Sequence, residues 1–440
     1  MTHVSHQPKI QPQKTPGRKV DNTPDDNDRK EIGPTDLAYN EWAAAGIEVP
    51  DVQAMRKHRH EALIKAMVDR DLGGVLFFDP MNIRYATDAP HMQLWNAHNP
   101  FRAYLMLPDG YTVLYEYGGW AHLSEFNPLV REVRTGASMY YFATGSRTEE
   151  KAALFAQSID ELVREHAGTN RRLAVDKIQI AGLRALDALN FEIHEGEEVA
   201  ELTRVFKSKD EIKAMRCAVH ACDQAIAAMR EVAVPGATES DVWAELHKQN
   251  IIRGGEWIET RILSSGPRTN PWFQECGPRI LQNNEILAFD TDLIGCYGMC
   301  ADISRSWFIG DGAPTDEQRR LHAIAYEHIQ KNIQALKPGL TFRELSDAGD
   351  QLPEEFVQLR YGSKYHGVGM CDEWPSIKYP IDFEKSGYDG ILEPGMMLCV
   401  EAYIGAVGGA EGMKLEEQVL ITETGVENFS KAPFDDRLMN

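Results

Sequence analysis

The residues most able to do chemistry in this chain are acids carried on apolar strands. Segment 285–292, EILAFDTD, reads as a strand that ends in carboxylates. Strand side chains alternate, so Asp290 and Asp292 are expected on one face. Asp302 follows ten residues after Asp292, in CADISRSW. Glu401 lies inside the apolar run LCVEAYI, and Glu416 inside KLEEQVLITETG, next to Glu417. His366 stands in YHGVG, where the flanking glycines permit close backbone approach. Each acid alone also fits a solvated strand end. Glu401 fits that reading least, because an acid buried in such a run is costly unless it meets a cation. Mostly oxygen donors with one imidazole suit Mn, Fe, Co or Zn better than copper or a thiolate site.

The elements that must position these groups fall into two regions. From about Glu41 to Gly196 helix and strand patterns alternate. Val52–Arg70 reads as a helix, 73–80 (GGVLFFDP) as a buried strand, and Lys151–His166 as a helix followed by a strand at 171–176. Ala103–Leu107 and Thr112–Glu116 read as a hairpin about Pro108-Asp109-Gly110. A second region opens near Phe206, where Ser208 and Glu211 have capping-box spacing before a helix expected over Lys209–Val232. The pattern Pro-Gly-x-Thr, with an acid three residues after the Thr, occurs at 235–241 and again at 338–344. Either this is a common helix start met twice, or the region is two similar halves with a site between them.

Length and composition bound the function. The chain has 440 residues, which predicts roughly two or three domains. It has 67 acidic and 46 basic residues, a net charge of −21. That balance argues against nucleic acid or an anionic membrane as the main partner. No apolar run is long enough for a membrane helix. Seven cysteines at scattered spacings read as reduced thiols of a cytoplasmic protein. No apolar leader stands at the N-terminus. Residues 1–40 carry few large apolar side chains and are expected to form an extended arm or a loose tail.

The stretches FDTDLIGCYGMCADISRSW, HGVG, EPGMMLCVEA and KLEEQVLITETG resemble the pita-bread metallohydrolases, the family of methionine aminopeptidase, aminopeptidase P, prolidase and creatinase. The resemblance spans about 206–430. It implies an α/β (α+β) protein with a creatinase-like N-terminal domain at 41–200 and a pita-bread catalytic domain at 201–440. It also implies that Asp290, Asp302, His366, Glu401 and Glu416 ligate two divalent ions per subunit (Fe, Mn, Zn or Co). Asp292 would be a sixth ligand or a neighbour of one.

The chain departs from the peptidases of that family. Their two further histidines bind the scissile carbonyl, and a lost donor of that kind costs about 3–4 kcal/mol. Here Trp272, in SSGPRTNPWFQ, and Asp372-Glu373, in HGVGMCDEWP, stand at those places. The departures resemble those of the pita-bread dimethylsulfoniopropionate (DMSP) lyases. Supporting stretches are TPDDNDRKEIGPT, FDPMNIRYATD, MQLWNAHNPFRA and GGEWIETRILSSGPRTNPWFQECGPR. That resemblance implies cleavage of a zwitterionic sulfonium carboxylate to dimethyl sulfide and acrylate, with Asp372 as the base. It assigns Trp95 to the substrate sulfonium, where a cation over an indole gains about 0.5–2 kcal/mol, and Tyr361 to the pocket wall. It implies a homodimer, with Trp95 acting in its own or its partner's site. On residue type alone Asp372 also reads as a turn acid, and Trp95 and Tyr361 as packing. The competing readings are an Xaa-Pro dipeptidase or amidino-substrate hydrolase of the same fold, and a binding module without catalysis.

Overall fold

The structure, a computed structural model, describes residues 32–439. The arm expected over 1–40 lies outside the described residues up to position 31. The chain forms two compact units, one built on Asp51–Arg204 and the other on Gly33–Pro50 with Val205 onward. Residues 41–50 were expected in the N-terminal domain and instead join the second unit. The reason is local packing. Trp42, on the helix Asp36–Ala45, is buried, its indole N–H donates to Cys217 O at 3.2 Å, and Glu41 receives both arms of Arg253 at 2.7 and 2.8 Å.

The first unit carries a six-stranded sheet. Its strands are β1 (Gly74–Phe77), β2 (Ala103–Met106), β3 (Thr112–Tyr115), β4 (Glu132–Arg134), β5 (Arg172–Val175) and β6 (Glu192–Glu195). They lie in the order β4-β3-β2-β1-β5-β6. The β2–β3 hairpin turns at Gly110, whose φ of 83° is open to glycine. The helix Thr148–His166 turns Ala152, Phe155, Ala156, Ile159, Leu162 and Val163 toward the core, a spacing that keeps one face apolar. Asp176, just after β5, accepts hydrogen bonds from the backbone N–H groups of Phe78 and Asp79 and from Asn82 Nδ2 at 2.8 Å. Burial outweighs those donors and pushes its carboxyl up to about 7.

In the second unit the helix Lys209–Val232 starts at the Ser208–Glu211 capping box. The two Pro-Gly-x-Thr segments adopt the same local structure. Thr238 pairs with Asp241 and Thr341 with Glu344 in capping boxes. Gly236 N donates to Leu281 O at 3.0 Å, and Gly339 N to Leu392 O at 2.7 Å. The bridges Thr238–Ile280 and Thr341–Ile391 complete the correspondence. Each copy follows a long helix, Lys209–Val232 or Asp316–Ala335. The correspondence between the two segments thus extends beyond the capping box to the backbone bonds that precede it.

The remaining strands of the second unit are β7 (Trp257–Ile258), β8 (Leu263–Ser265), β9 (Glu285–Asp290), β10 (Leu293–Ile294), β11 (Cys300–Ala301), β12 (Ser304–Ile309), β13 (Tyr365–Val368), β14 (Asp372–Ile377), β15 (Met397–Ile404), β16 (Met413–Thr422) and β17 (Gly425–Asn428). They form sheets ordered β12-β9-β8, β11-β10-β7 and β14-β13-β15-β16-β17. Among the described residues no helix is long and apolar enough to cross a membrane, and no two cysteines are joined by a disulfide.

Candidate metal centre

The sheets of the second unit bring the expected acids together. Asp290 is the last residue of β9 and pairs in register with Ser304 of β12. Glu401 on β15 lies directly opposite Glu416 on β16. His366 on β13 sits at a register shift between β13 and β14. Gly367 and Gly369 serve that close approach, because a Cβ on either would fall 2.3 Å from Trp374 O or from the Glu373 carboxylate.

Asp292 departs from the expectation of a shared strand face. The strand ends at Asp290, and Asp292 has a φ of 36°, a left-handed conformation that non-glycine residues seldom hold without compensation. The kink still directs its carboxylate to Asp290 and Asp302, and the three side chains form one group with donor atoms within 4.8 Å. Thr260 Oγ1 donates to Asp292 Oδ2 at 2.5 Å.

The second group of donor atoms is Asp302, His366, Cys399 and Glu416, again within 4.8 Å. His366 Nε2 is 3.1 Å from Glu401 Oε1 and 3.6 Å from both Asp302 Oδ2 and Glu416 Oε1. Its Nδ1 lies 3.0 Å from Gly367 O, which can only accept, so Nδ1 carries the proton and Nε2 faces the carboxylates. Asp302 is shared by the two groups.

Burial and mutual repulsion shape the electrostatics of this cluster. Burial, followed by the charges of Glu416 and Asp292, drives the Asp302 carboxyl well above its ordinary range. Burial and the Asp290 charge do the same to Asp292. Burial and Glu416 raise Glu401 to about 8. Burial opposes the His366 imidazolium, but Asp372, Glu401 and Glu416 outweigh it and hold the proton far more tightly than usual. Asp302 Oδ1 and Glu416 Oε1 are buried with no hydrogen-bond partner among the described residues. Buried carboxylate oxygens without donors fit a divalent cation, which satisfies them and keeps them ionised.

Two members of the cluster escaped the sequence reading. Lys414 is fully buried, with Nζ 3.0 Å from Asp290 Oδ2, 2.6 Å from Glu401 Oε2 and 2.9 Å from Glu416 Oε2. Ser304 Oγ lies 2.7 Å from the same ammonium. Burial disfavours the charged lysine, yet the carboxylates prevail and raise it well above its usual value. Cys399 is the other. A signal existed for both, since each precedes a proposed ligand by two residues on a strand and so shares its face.

The remaining expected residues are placed as follows. Asp372 opens β14 with an exposed side chain, and its Oδ1 is 3.6 Å from His366 Nδ1. Glu373 turns the other way, into a buried pair with Lys207 at 2.9 Å. Strand alternation separates the two acids and leaves Asp372 alone beside the cluster. Tyr361 and Trp272 flank Lys414, with Nζ 4.8 and 6.0 Å from their ring centroids. Trp272 stacks on Tyr403 at 5.9 Å. Trp95 belongs to the first unit, on the helix Gln93–His98, with its ring 5.3 Å from that of Phe101.

Residues 213–423 match the metallopeptidase family M24. The chain is 58% identical over 443 residues to the dimethylsulfoniopropionate lyase DddP of Roseovarius nubinhibens, covering 99% of each chain. It is 54% identical over 424 residues to the DddP of Roseobacter denitrificans, covering 95% of each. An Xaa-Pro dipeptidase structure from Bacillus anthracis superposes with a TM-score of 0.69 at 20% identity, over 86% of this chain and 99% of that one, a likeness of fold. Identity at that level over nearly the whole length, on an M24 domain that keeps its acids and histidine together, means that the chain belongs to the DddP family of dimethylsulfoniopropionate lyases.

Proposed function

We propose that the protein is a metal-dependent DMSP lyase that eliminates dimethyl sulfide from its substrate and leaves acrylate. The observation that carries this reading is the near full-length identity to two DMSP lyases. It agrees with Trp272 and Asp372 beside the acid cluster, where the resemblance expects histidines in a peptidase.

Asp290, Asp292, Asp302, His366, Glu401 and Glu416 would hold two divalent ions of the Mn, Fe, Co or Zn class. When bound, the ions supply positive charge against the charge that develops on the substrate carboxylate. Asp372 removes the proton from the carbon next to that carboxylate. The electron pair of the broken C–H bond forms the carbon–carbon double bond. The β carbon–sulfur bond breaks, and its electrons leave with sulfur as neutral dimethyl sulfide. The exposed position of Asp372 suits an acid that must meet a substrate.

Tyr361 and Trp272 flank Lys414 and give the cluster an aromatic wall. The resemblance assigns Trp95, in its own site or the partner's, to the sulfonium, a cation that cannot donate a hydrogen bond and gains instead from an indole face. The working form is a cytoplasmic homodimer.

The test is a sealed-vial assay on purified, metal-analysed protein, with an Ala-Pro dipeptide run in parallel. Equal amounts of dimethyl sulfide and acrylate, lost on chelation, support the lyase. Proline without sulfide would make this a peptidase.

A further inference from the structure

We propose that Phe273 is a specificity-determining residue, its exposed ring face receiving the positively charged dimethylsulfonio end of the substrate. The proposal rests on the lyase reading above.

Strand period places the loop that carries this ring. Trp272 is buried against Ala288 of β9 and Tyr403 of β15. Ala288 precedes Asp290 by two residues and Tyr403 follows Glu401 by two, so each shares a strand face with one of those acids. The loop is fastened at that place. Asn270 Nδ2 donates to Ala406 O at 2.8 Å and to Gly409 O at 3.0 Å, and Tyr403 Oη donates to Thr269 O at 2.9 Å.

Phe273 follows Trp272 and turns outward. Its side chain is 60% exposed, and its ring stacks on Tyr361 with centroids 5.3 Å apart and planes at 28°. Tyr361 in turn stands 4.8 Å from Lys414 Nζ. Stacking occupies one face of the Phe273 ring, and the exposure leaves the other for a ligand. The backbone there has φ 71°, a left-handed conformation that is an outlier for a bulky residue. A strained position that holds a large apolar ring in water gains little for the fold. Strain of this kind gathers at ligand sites. The chemistry of the ring selects the occupant. An aromatic face attracts a cation through its quadrupole, and serves onium groups that have no hydrogen to donate. A substrate whose carboxylate faces the cluster carries its sulfonium a short chain away, toward the wall that Tyr361 begins and Phe273 extends. Trp95 is assigned to the same cation by resemblance, whereas Phe273 is assigned by the geometry of the second unit alone.

The experiment compares the metal-loaded full-length wild type with Phe273→Leu and Phe273→Gly. KM and kcat for DMSP are measured, together with competitive inhibition by 4-methylpentanoate, an uncharged carboxylate of the same shape. Phe273→Leu keeps an apolar side chain and removes the ring face. Its KM for DMSP should rise by roughly 2- to 30-fold, with the loss in KM and not in kcat, while Ki for 4-methylpentanoate stays within about twofold of wild type. An unchanged KM overturns the assignment, and so does a rise of KM and Ki by the same factor, which would make Phe273 an apolar wall without preference for charge. Phe273→Gly supplies a readout that packing would not give. Glycine adopts φ 71° freely, so its urea midpoint should be no lower than that of Phe273→Leu, with KM raised as much or more. Midpoints of both variants well below wild type at unchanged KM would make the ring a packing residue. Wild-type protein that releases no sulfide would instead defeat the lyase reading, and this inference with it.

Discussion

The carboxylate of Asp372 stands 3.6 Å from Nδ1 of His366, while Nε2 of the same ring lies 3.1 Å from Glu401. One imidazole thus separates an exposed acid from the buried ones. The proposed base and the proposed ligands touch opposite edges of it, so the two roles can be removed separately.

Asp372→Asn should keep the metal content and lose elimination. A positioned base contributes about 10²–10⁴-fold, and kcat is expected to fall by that factor. Sulfide release near the wild-type rate, with metals retained, would remove Asp372 from the role.

Trp95→Ala should raise KM for the sulfonium substrate by roughly 2- to 30-fold, the equivalent of a cation–π contact. Initial rates over a range of DMSP concentrations measure it. Unchanged kinetics would return Trp95 to a packing role against Phe101.

Asp292→Gly tests the left-handed backbone at φ 36°. Glycine adopts that conformation freely, so the metal-free variant should be as stable as the wild type or more so, by about 1 kcal/mol. Its metal content should nevertheless fall, because the group of Asp290, Asp292 and Asp302 loses a donor. Unchanged stoichiometry would make Asp292 a neighbour of the centre and not a ligand.

Lys414→Met leaves three buried carboxylates without their ammonium. Removing one partner of a buried ion pair costs about 3–5 kcal/mol. Urea unfolding should show that loss in metal-free protein and a smaller one in metal-loaded protein, where cations replace the lysine charge. Equal losses in both forms would mean that Lys414 does not share the ions' electrostatic role.

Asp176 gives the first unit a pH dependence of definite sign. Its folded carboxyl titrates near 7, above the ordinary 3.8. Between those values the folded chain holds a proton that the unfolded chain has released, so this contribution to stability is full below 3.8 and lost as pH rises through 7. Asp176→Asn should flatten that part of the urea-midpoint profile between about pH 4 and 7. A profile of unchanged slope would show that the carboxyl is ionised throughout.

Much of the centre was legible in the residues. Glu401 declared itself because a lone acid in LCVEAYI needs a cation, and the Ser208 and Thr238 helix starts followed from capping chemistry within four residues. The hairpin at Gly110 was equally local. Period-two alternation could also have placed Lys414 beside Glu416 and Cys399 beside Glu401, had it been applied to non-acidic neighbours.

Other features needed the chain folded. No local rule said that β9 would stop at Asp290 and that a left-handed Asp292 would reach the same cluster. Nor could the sequence say that Asp372 would be exposed beside His366 while its neighbour Glu373 is buried against Lys207, 166 residues away in sequence. Residue type and strand period determined which side chains could share a face. Register between β13, β15 and β16, set by hydrogen bonds between segments far apart in the chain, decided which faces meet.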